Sequence, residues 1–263
     1  MRRLGVLGWP VAHSRSPAMH NAALAELGLS DWHYQALPVP PELFEQTTRA
    51  LGGSGFAGAN VTIPHKHAAL ALADGASEAA RAIGAANTLT FAPGGAIAAE
   101  NTDAPGLIAA LDAPLAGKRA LVLGAGGSAR AAVWALGDAG AREVLICNRT
   151  RERAERLADE LGASAVVAPQ PADVLVNCTS VGLQAASDEL EQLGLDAERL
   201  GDYALVVDLV YRVGATALVR AADEQGARTV DGIDVLVAQG ALSLELWTGR
   251  AAPHATMEAA ARG

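Results

Sequence analysis

Short apolar runs separated by helical patterns fill the chain from Lys118 onward. Each run has the length of a buried strand, and the stretches between them space their apolar residues along one helix face. Strands that alternate with helices predict a parallel sheet covered on both faces. The predicted strands are 119–123, 143–147, 172–177 and 205–209, with helices that run from the turn at 124–130 to about 140 and over 151–161.

The first hundred residues also alternate, but with different turns, and they predict a separate α/β domain. We therefore expect residues 1–102 to form one domain, completed by C-terminal helices at about 235–263, and residues 103–234 to form the other. If the last helices return to the first domain, the ligand site lies in a cleft between the domains. The predicted strands here are 2–8, 32–39, 55–61 and 86–91, and the predicted helices are 17–28, 41–51, 64–73 and 76–83.

Composition excludes several classes of protein. Of 263 residues, 51% are hydrophobic and only 19% are charged, which predicts a folded chain with ample core. The formal net charge of −9 disfavours nucleic acid and anionic membranes as partners. No stretch approaches the roughly 20 apolar residues that a membrane helix needs, so we expect a cytoplasmic protein. Cys147 and Cys178 each end an apolar run and are typical of buried small hydrophobes.

A glycine-rich turn follows the first strand of the second domain. Gly124, Gly126 and Ala129 fit the dinucleotide-binding fingerprint, because they come after a strand and open a helix. The glycines allow the backbone to approach a pyrophosphate, and the N–H groups of the helix start point at its charge. The second domain is therefore predicted to be a Rossmann-type domain.

The end of the next strand indicates which dinucleotide binds. An NAD-binding domain places Asp or Glu there to hold the ribose 2′-hydroxyl, whereas this chain has Asn148, Arg149 and Thr150, with Arg153 one helical turn later. Arginine and threonine side chains suit a 2′-phosphate, so we predict NADP(H). The alternative is a solvated basic helix start in which Thr150 is only an N-cap residue.

Lys66 is one of only two lysines among twenty basic residues. Pro64 is predicted as the first residue of a helix, which places Lys66 in the first turn, where the helix dipole disfavours a cation. A lysine side chain can give up a proton where its pKa is lowered, and an arginine cannot. A rare residue in an unfavourable place therefore indicates acid–base chemistry.

Asp103 is the best candidate partner for Lys66. An equally strong alternative is that Thr102 or Asp103 only caps a helix that begins near Pro105. Similarly, Ser16 is a natural N-cap residue before Pro17, although a capped helix start can still bind a carboxylate.

Three further polar residues say little on their own. Asn87 enters an apolar strand, and Gln239 lies in the middle of a helix, where a single glutamine is usually solvated. Tyr211 follows the strand at 205–209 and suits either a core or a cleft.

Taken together, the polar motifs resemble one family, the shikimate dehydrogenases, from Gly5 to about Gly249. The matching motifs are Ser14–Pro17 with His20 and Asn21, Asn60–Lys66, Gly84–Leu89, Asn101–Gly106, Gly124–Ala129, Asn148–Arg153, Asn177–Gly182 and Gly232–Gln239.

The resemblance implies an α/β substrate domain, a Rossmann-type NADP domain and NADPH-dependent reduction of 3-dehydroshikimate to shikimate. It implies that Lys66 transfers the proton with Asp103 as its partner. The implied substrate-binding residues are Ser14, Ser16, Thr62, Asn87, Asp103, Tyr211 and Gln239. The implied cofactor-binding residues are Gly124, Ala125, Gly126, Gly127, Ser128, Asn148, Arg149, Thr150, Arg153, Leu209 and Gly232.

Two alternatives remain: a quinate/shikimate dehydrogenase that uses NAD, and a cofactor-sensing module without catalysis. The acidic residue that NAD would require is missing after the second strand, and a sensor has no reason to retain Lys66 with Asp103. The six histidines lack a spacing typical of metal ligands, so no metal is expected. A homodimer is left open.

Overall fold

The chain folds as two compact units. The computed structural model describes residues 2–212 and 214–263. The first unit comprises the residues up to Gly106 together with Leu236–Gly263, and the second comprises Leu107–Val235. The C-terminal segment thus belongs to the same unit as the N-terminal hundred residues.

The first unit contains a mixed six-stranded sheet. Its strands are β1 (Arg2–Gly8), β2 (Trp32–Pro38), β3 (Phe56–Val61), β4 (Gly75–Ala76), β5 (Thr88–Phe91) and β6 (Ile97–Glu100). They lie in the order β2-β1-β3-β5-β6-β4. The first three pair in parallel, whereas β5 is antiparallel to both β3 and β6. The parallel part places the residues that follow β1 and β3 at one edge of the sheet.

The helices of this unit are α1 (Ser16–Glu26), α2 (Phe44–Leu51), α3 (Lys66–Leu72), α4 (Glu78–Ile83), the start of α5 (Asp103–Leu111), most of α10 (Gly232–Thr248), and α11 (His254–Arg262). A buried apolar cluster that includes Leu7, Phe44, Phe56 and Leu89 fills its core.

The second unit contains an all-parallel six-stranded sheet, which confirms the predicted α/β fold. Its strands are β7 (Arg119–Leu123), β8 (Glu143–Cys147), β9 (Ser164–Val166), β10 (Val174–Asn177), β11 (Leu205–Asp208) and β12 (Arg228–Val230), in the order β12-β11-β10-β7-β8-β9. Its helices are α6 (Gly127–Asp138), α7 (Arg151–Leu161), α8 (Glu189–Leu193) and α9 (Ala217–Glu224). The two faces carry separate buried clusters, as expected for a sheet covered on both sides.

The sequence pattern did not predict four short strands: β4, β6, β9 and β12. Three of them have only two or three residues, and β6 alternates buried with exposed positions over four. A run this short carries too little periodicity to predict. Pairing with a neighbouring strand, and not local preference, makes each of them a strand.

Two predicted helix starts were wrong by one or two residues. Pro64 lies in the turn before α3, His65 is the N-cap residue, and Lys66 is the first helical residue. Ser16 is likewise the first residue of α1 and not its cap, since Arg15 is the N-cap residue and contributes no side-chain bond. Lys66 nevertheless lies in the first turn, as predicted.

Within the part of the chain that the structure describes, no helix is long and apolar enough to cross a bilayer. Over the same residues, His, Cys, Asp and Glu side chains form no group of three or more that could hold a metal ion.

Candidate active site

Lys66 and Asp103 form an ion pair. Lys66 Nζ donates to Asp103 Oδ2 at 2.6 Å, and the two side chains are only 10% and 19% exposed. Each is the first residue of its helix, α3 and α5. A carboxylate against the ammonium compensates the unfavourable helix dipole at Lys66.

The histidines beside Lys66 have structural roles. His65 is buried, its ring stacks on Phe44 at 4.3 Å, and its Nε2 lies 2.7 Å from the carbonyl of Val39. Burial lowers the pKa of His65, and the hydrogen bond to Val39 opposes that shift. His67 Nδ1 contacts the carbonyl of Gly84 at 2.9 Å. Both rings therefore anchor the start of α3.

Asn87 joins the carboxylate of Asp103 to the rest of the unit. Its Nδ2 donates to Asp103 Oδ1 at 2.8 Å and lies 3.1 Å from Gln239 Oε1. Its Oδ1 accepts from the backbone N–H of Thr102 at 2.7 Å. Asn87 is almost completely buried, so these bonds fix which way its amide points.

Gln239 is buried and hydrogen-bonded, so the expectation that a single glutamine in a helix is solvated was wrong. Its Oε1 accepts from Asn87, and its Nε2 donates to the carbonyl of Leu236 at 2.9 Å. The close crossing of α5 and α10 accounts for this burial: a Cβ added to Gly106 would lie 2.6–2.7 Å from Cβ, Cα and N of Gln239. Only glycine at 106 permits that approach.

The capping alternative for Thr102 and Asp103 was also wrong. Asn101 performs that role, because its Oδ1 accepts from the backbone N–H of Ala104 at 3.1 Å. Thr102 is buried, with its hydroxyl against Asn87, and the carboxylate of Asp103 faces Lys66 and Asn87. The aspartate is therefore available for chemistry.

A set of buried polar residues, to which the sequence analysis assigned no part in substrate binding or catalysis, surrounds this group. They are Tyr34, Asn60, Thr88, Thr102 and Ser243, and hydrogen bonds connect them to one another. One signal was present: Gln239 and Ser243 are one turn apart on an otherwise apolar stretch of helix, so they share a face.

Three other predicted residues lie at the ends of parallel strands or at the helix start that follows. Thr62 directly follows β3, and its backbone N–H donates to Leu7 at 2.8 Å. Ser14 Oγ accepts from the backbone N–H of Ser16 at 3.3 Å. Ser14 lies just before α1, and Ser16 is the first residue of that helix. Ser14 and Thr62 are half-buried, and Ser16 is buried.

In the second unit, Gly124 and Gly126 form the predicted turn between β7 and α6. Gly124 has φ +112°, and a Cβ there would lie 3.2 Å from the backbone of Cys178, so a side chain would be strained. Gly126 is exposed, has open space where a Cβ would be, and is the N-cap residue of α6 without a side-chain cap. Since the first turn of α6 contains no acidic residue, this edge suits a pyrophosphate. Ala125, Gly127 and Ser128 are half-buried in the same turn.

The residues after β8 form an exposed basic edge. Arg149, Thr150 and Arg153 are exposed, and neither arginine has an ion-pair partner among the described residues. Thr150 is the N-cap residue of α7 but makes no side-chain capping bond, so the capping alternative does not account for it. Asn148 Nδ2 donates to the carbonyl of Thr150 at 2.8 Å. Glu152 shares the first turn of α7, so one carboxylate also lies at this helix start.

The remaining predicted residues of this unit surround the end of β11. The backbone N–H of Leu209 donates to Asn177 at 3.0 Å. A Cβ on Gly232 would lie 2.6–2.7 Å from the carbonyl oxygens of Val210 and Leu209, so only glycine fits. Tyr211 is half-buried and belongs to this unit, whereas the other predicted substrate residues belong to the first.

Two buried titratable groups lie near these sites. His20 is fully buried, stacks on Tyr34 at 4.2 Å, and desolvation lowers its pKa to about 3. Asp208, at the end of β11, accepts from Thr216 at 2.6 Å and from Asn177 at 2.9 Å. Desolvation nevertheless raises the pKa of Asp208 to about 6.

Family models match nearly the whole chain. Residues 6–89 match the shikimate dehydrogenase substrate binding domain, residues 108–209 match shikimate / quinate 5-dehydrogenase, and residues 232–262 match the shikimate 5′-dehydrogenase C-terminal domain. The first match contains Lys66 and Asn87, and the second contains the glycine turn and the basic edge.

Relatives of known name cover the chain almost from end to end. A shikimate dehydrogenase (NADP+) of Methanopyrus kandleri is 42% identical over 98% of this chain and 93% of its own length. One from Methylobacterium radiotolerans is 45% identical over 94% and 91%. A crystal structure of shikimate 5-dehydrogenase from Thermus thermophilus in complex with NADP(H) and shikimate is 43% identical and covers 100% of this chain and 99% of that one, with a TM-score of 0.88. The resemblance found in the sequence motifs is thus confirmed by relatives that cover both units, and the chain belongs to the NADP+-dependent shikimate dehydrogenases, oxidoreductases that act on a CH–OH group.

Proposed function

We propose that this chain binds NADPH and 3-dehydroshikimate and catalyses the reversible reduction of the ketone to shikimate. The observation that carries the proposal is the buried 2.6 Å pair of Lys66 and Asp103, held by Asn87. A cofactor-sensing module would gain nothing from burying such a pair, because an ion pair removed from water costs desolvation energy.

The first unit supplies the groups for a polyhydroxylated acid. Asn87, Asp103 and Gln239 present amide and carboxylate groups suited to ring hydroxyls, and Thr62 adds one more hydroxyl. Ser14 and Ser16, near the start of α1, suit the substrate carboxylate, since a helix start favours an anion. Tyr211 is proposed as a further contact to that carboxylate. We also propose that residues 1–102 with 235–263 act as the substrate domain.

The second unit, at about residues 103–234, is proposed to hold NADP(H). The turn that contains Gly124, Gly126 and Ser128 suits the pyrophosphate. Arg149, Thr150 and Arg153 suit the 2′-phosphate, because two exposed arginines without ion-pair partners among the described residues lie together beside a helix start. The proposed set is completed by Ala125, Gly127, Asn148, Leu209 and Gly232.

When bound, NADPH supplies the hydride for the ketone carbon. The carbonyl oxygen then gains negative charge, and Lys66 Nζ is the proposed donor of the proton that completes the hydroxyl. Before the transfer, the ammonium stabilises the developing alkoxide. In the direction of shikimate oxidation, the neutral amine accepts the proton. Asp103 orients the amine and holds a substrate hydroxyl.

The assay that tests the proposal is the oxidation of NADPH by 3-dehydroshikimate, followed by absorbance, with NADH as the parallel cofactor. We expect turnover with NADPH and much weaker turnover with NADH. Equal rates with both would favour the NAD-using quinate/shikimate alternative, and quinate oxidation should be measured alongside. No turnover with either cofactor would favour the sensing module. A cytoplasmic location and a homodimer stay predictions.

A further inference from the structure

We propose that Ser243 is a positioning residue for this reaction: its buried hydroxyl fixes the amide groups that aim Asp103. The inference rests on the proposed function, since positioning has meaning only for the reaction that Lys66 and Asp103 carry out. Among the described residues, no hydrogen bond joins Ser243 directly to that pair, so it would act through its neighbours.

Ser243 lies on a buried face of α10. The side chain is fully buried, and it lies one helical turn after Gln239. The neighbouring residues on that face of the unit are also polar and buried, including Asn60 and Thr88. A hydroxyl removed from water is costly unless it is hydrogen-bonded, so the partners of Ser243 decide what the residue contributes.

The hydroxyl of Ser243 has one proton and two lone pairs. Its Oγ lies 3.1 Å from the carbonyl oxygen of Gln239, which can only accept, so the proton belongs there. The other neighbours must then donate to Ser243. Asn60 Nδ2 is the nearest at 2.9 Å, and the hydroxyls of Thr88 and Thr102 are each at 3.1 Å. Two of these three donors satisfy the lone pairs at any one time.

Ser243 therefore helps to orient Asn60, together with the carbonyl oxygen of Asn87 at 3.3 Å from Asn60 Nδ2. The amide of Asn60 accepts from the Tyr34 hydroxyl through Oδ1 at 2.8 Å and donates to Ser243 through Nδ2. These bonds form a chain of hydrogen bonds, here called the ladder, in which each group donates to the next. The ladder runs from the Tyr34 hydroxyl through Asn60 and Ser243 to the carbonyl of Gln239. Because every member is buried, no member can exchange its partner for water without opening the core.

The ladder meets the catalytic pair at Asn87. The hydroxyl of Thr88 donates to Asn87 Oδ1 at 3.2 Å, and Thr102 Oγ1 accepts from Asn87 Nδ2 at 3.0 Å. Asn87 in turn donates to Asp103 at 2.8 Å. Without the Ser243 hydroxyl, the Thr102 hydroxyl, which accepts from Asn87, loses a hydrogen-bond partner, so one support of the Asn87 amide is weakened, whereas the bonds of Asn87 with the backbone N–H of Thr102 and with Gln239 remain.

A purely structural explanation is that Ser243 only forms the common helix bond to the carbonyl four residues earlier. Thr248 forms that bond on the same helix, to Leu244 at 2.7 Å, and among the described residues no hydrogen bond connects it to the ladder. Thr248→Ala is therefore a matched control, because it removes the same kind of bond from α10 and leaves the ladder intact.

The test compares Ser243→Ala with Thr248→Ala in steady-state NADPH oxidation, per mole of folded enzyme. We expect kcat to fall about tenfold in Ser243→Ala, since small displacements of catalytic groups are costly. The KM for NADPH should stay unchanged, because the proposed cofactor residues lie in the other unit. Thr248→Ala should keep the wild-type kcat. Should Ser243→Ala fail to fold, Ser243→Cys keeps the volume with a weaker hydrogen-bonding group and should also lower kcat.

A double-mutant comparison tests the route through Asn87. If Ser243 acts through that amide, adding Ser243→Ala to Asn87→Ala should lower kcat little further. Fully multiplicative losses would overturn the route, and a wild-type kcat in both Ser243 variants would overturn the inference as a whole. A wild-type enzyme without turnover would instead reject the proposed function, and this inference with it.

Discussion

The proposed ligand sites of the two units differ in the burial and hydrogen bonding of their side chains. In the first, the polar side chains around the proposed catalytic pair, including Lys66, Asn87 and Gln239, are buried and take part in one hydrogen-bond network. In the second, the groups proposed for the cofactor phosphate are exposed, and Arg149 and Arg153 have no ion-pair partner within the described ranges. The first site is built by packing, and the second is built by local backbone geometry and surface charge.

This difference predicts which properties a substitution at each site should change. A change within the buried network should cost turnover or stability, because its members depend on one another. A change at the basic edge should alter affinity and cofactor choice while leaving the fold intact, since exposed side chains contribute little to stability. The following changes test that contrast.

The largest expected effect is on turnover in Lys66→Ala. Loss of the acid–base group should lower kcat by roughly 10²–10⁴-fold, with a far smaller effect on shikimate affinity. Lys118→Ala is the matched control, because Lys118 is the other lysine and also pairs with a carboxylate, Asp173, at 3.4 Å. Near-normal kcat in Lys66→Ala would remove this residue from the mechanism.

Gly106→Ala should disrupt the first unit through its backbone. The added methyl group would collide with Gln239 at 2.6–2.7 Å, and overpacking of this kind costs about 2–3 kcal/mol. Gly137→Ala, in helix α6 with open space around it, should instead stabilise by about 0.5–1 kcal/mol. Urea unfolding measures both variants, and equal stabilities would contradict the close crossing of α5 and α10.

Arg149→Asp should change the cofactor preference and leave the fold unchanged. The new carboxylate repels a 2′-phosphate and can accept from a ribose 2′-hydroxyl, so the preference for NADPH over NADH should fall by about 10–100-fold. Arg151→Ala is the control, because Arg151 already pairs with Glu155 at 2.6 Å. An unaltered preference, measured as the ratio of kcat/KM values, would refute the phosphate assignment.

The first unit should lose stability in acid through His20. Its pKa is about 3 in the fold and near 6.5 when unfolded, so between these values only the unfolded chain takes up the proton. The free energy of unfolding should therefore fall by about 1.4 kcal/mol per pH unit as the pH decreases through this window. His20→Phe removes the group, and its decline between pH 6.5 and 4 should be shallower by that amount. Parallel declines would show that His20 is not buried as a neutral ring.

Asp208 in the second unit should have the opposite dependence. Its pKa is raised from 3.8 to about 6. The contribution of the protonated carboxyl to the free energy of unfolding is therefore fully present below pH 3.8 and is lost as the pH rises through 6. Asp208→Asn should thus be more stable than wild type at pH 8 by about 1–2 kcal/mol, with little difference at pH 4. In the control Asp173→Asn the sign should reverse, because a hydrogen bond from Arg119 lowers the pKa of Asp173.

The second unit was largely predictable because its information is local. The turn at Gly124 and the helix Arg151–Leu161 are short segments whose structure follows from their own residues, and β8 and α7 have the predicted bounds. The absence of an acidic residue at the end of β8 is likewise visible in the sequence. The short strands β9 and β12 were missed because only pairing with neighbours creates them.

The first unit was predictable in its elements but not in its network. Asn87 and Gln239 are 152 residues apart, and nothing near either one shows that they share a hydrogen bond. The competing explanations, a capping Asp103 and a solvated Gln239, were reasonable locally and were wrong because tertiary packing decided both. Ser243 was overlooked for the same reason.

One consequence of the fold concerns protein synthesis. The segment Leu236–Gly263 completes the first unit, so its glutamine and serine leave the ribosome only after the entire second unit has been made. The α1 surface that contacts α11 therefore stays uncovered until α11 has been synthesised. A nascent chain that stalls after the second unit would contain a complete Rossmann-type sheet and an incomplete first unit. Activity therefore depends on the synthesis and docking of α10 and α11.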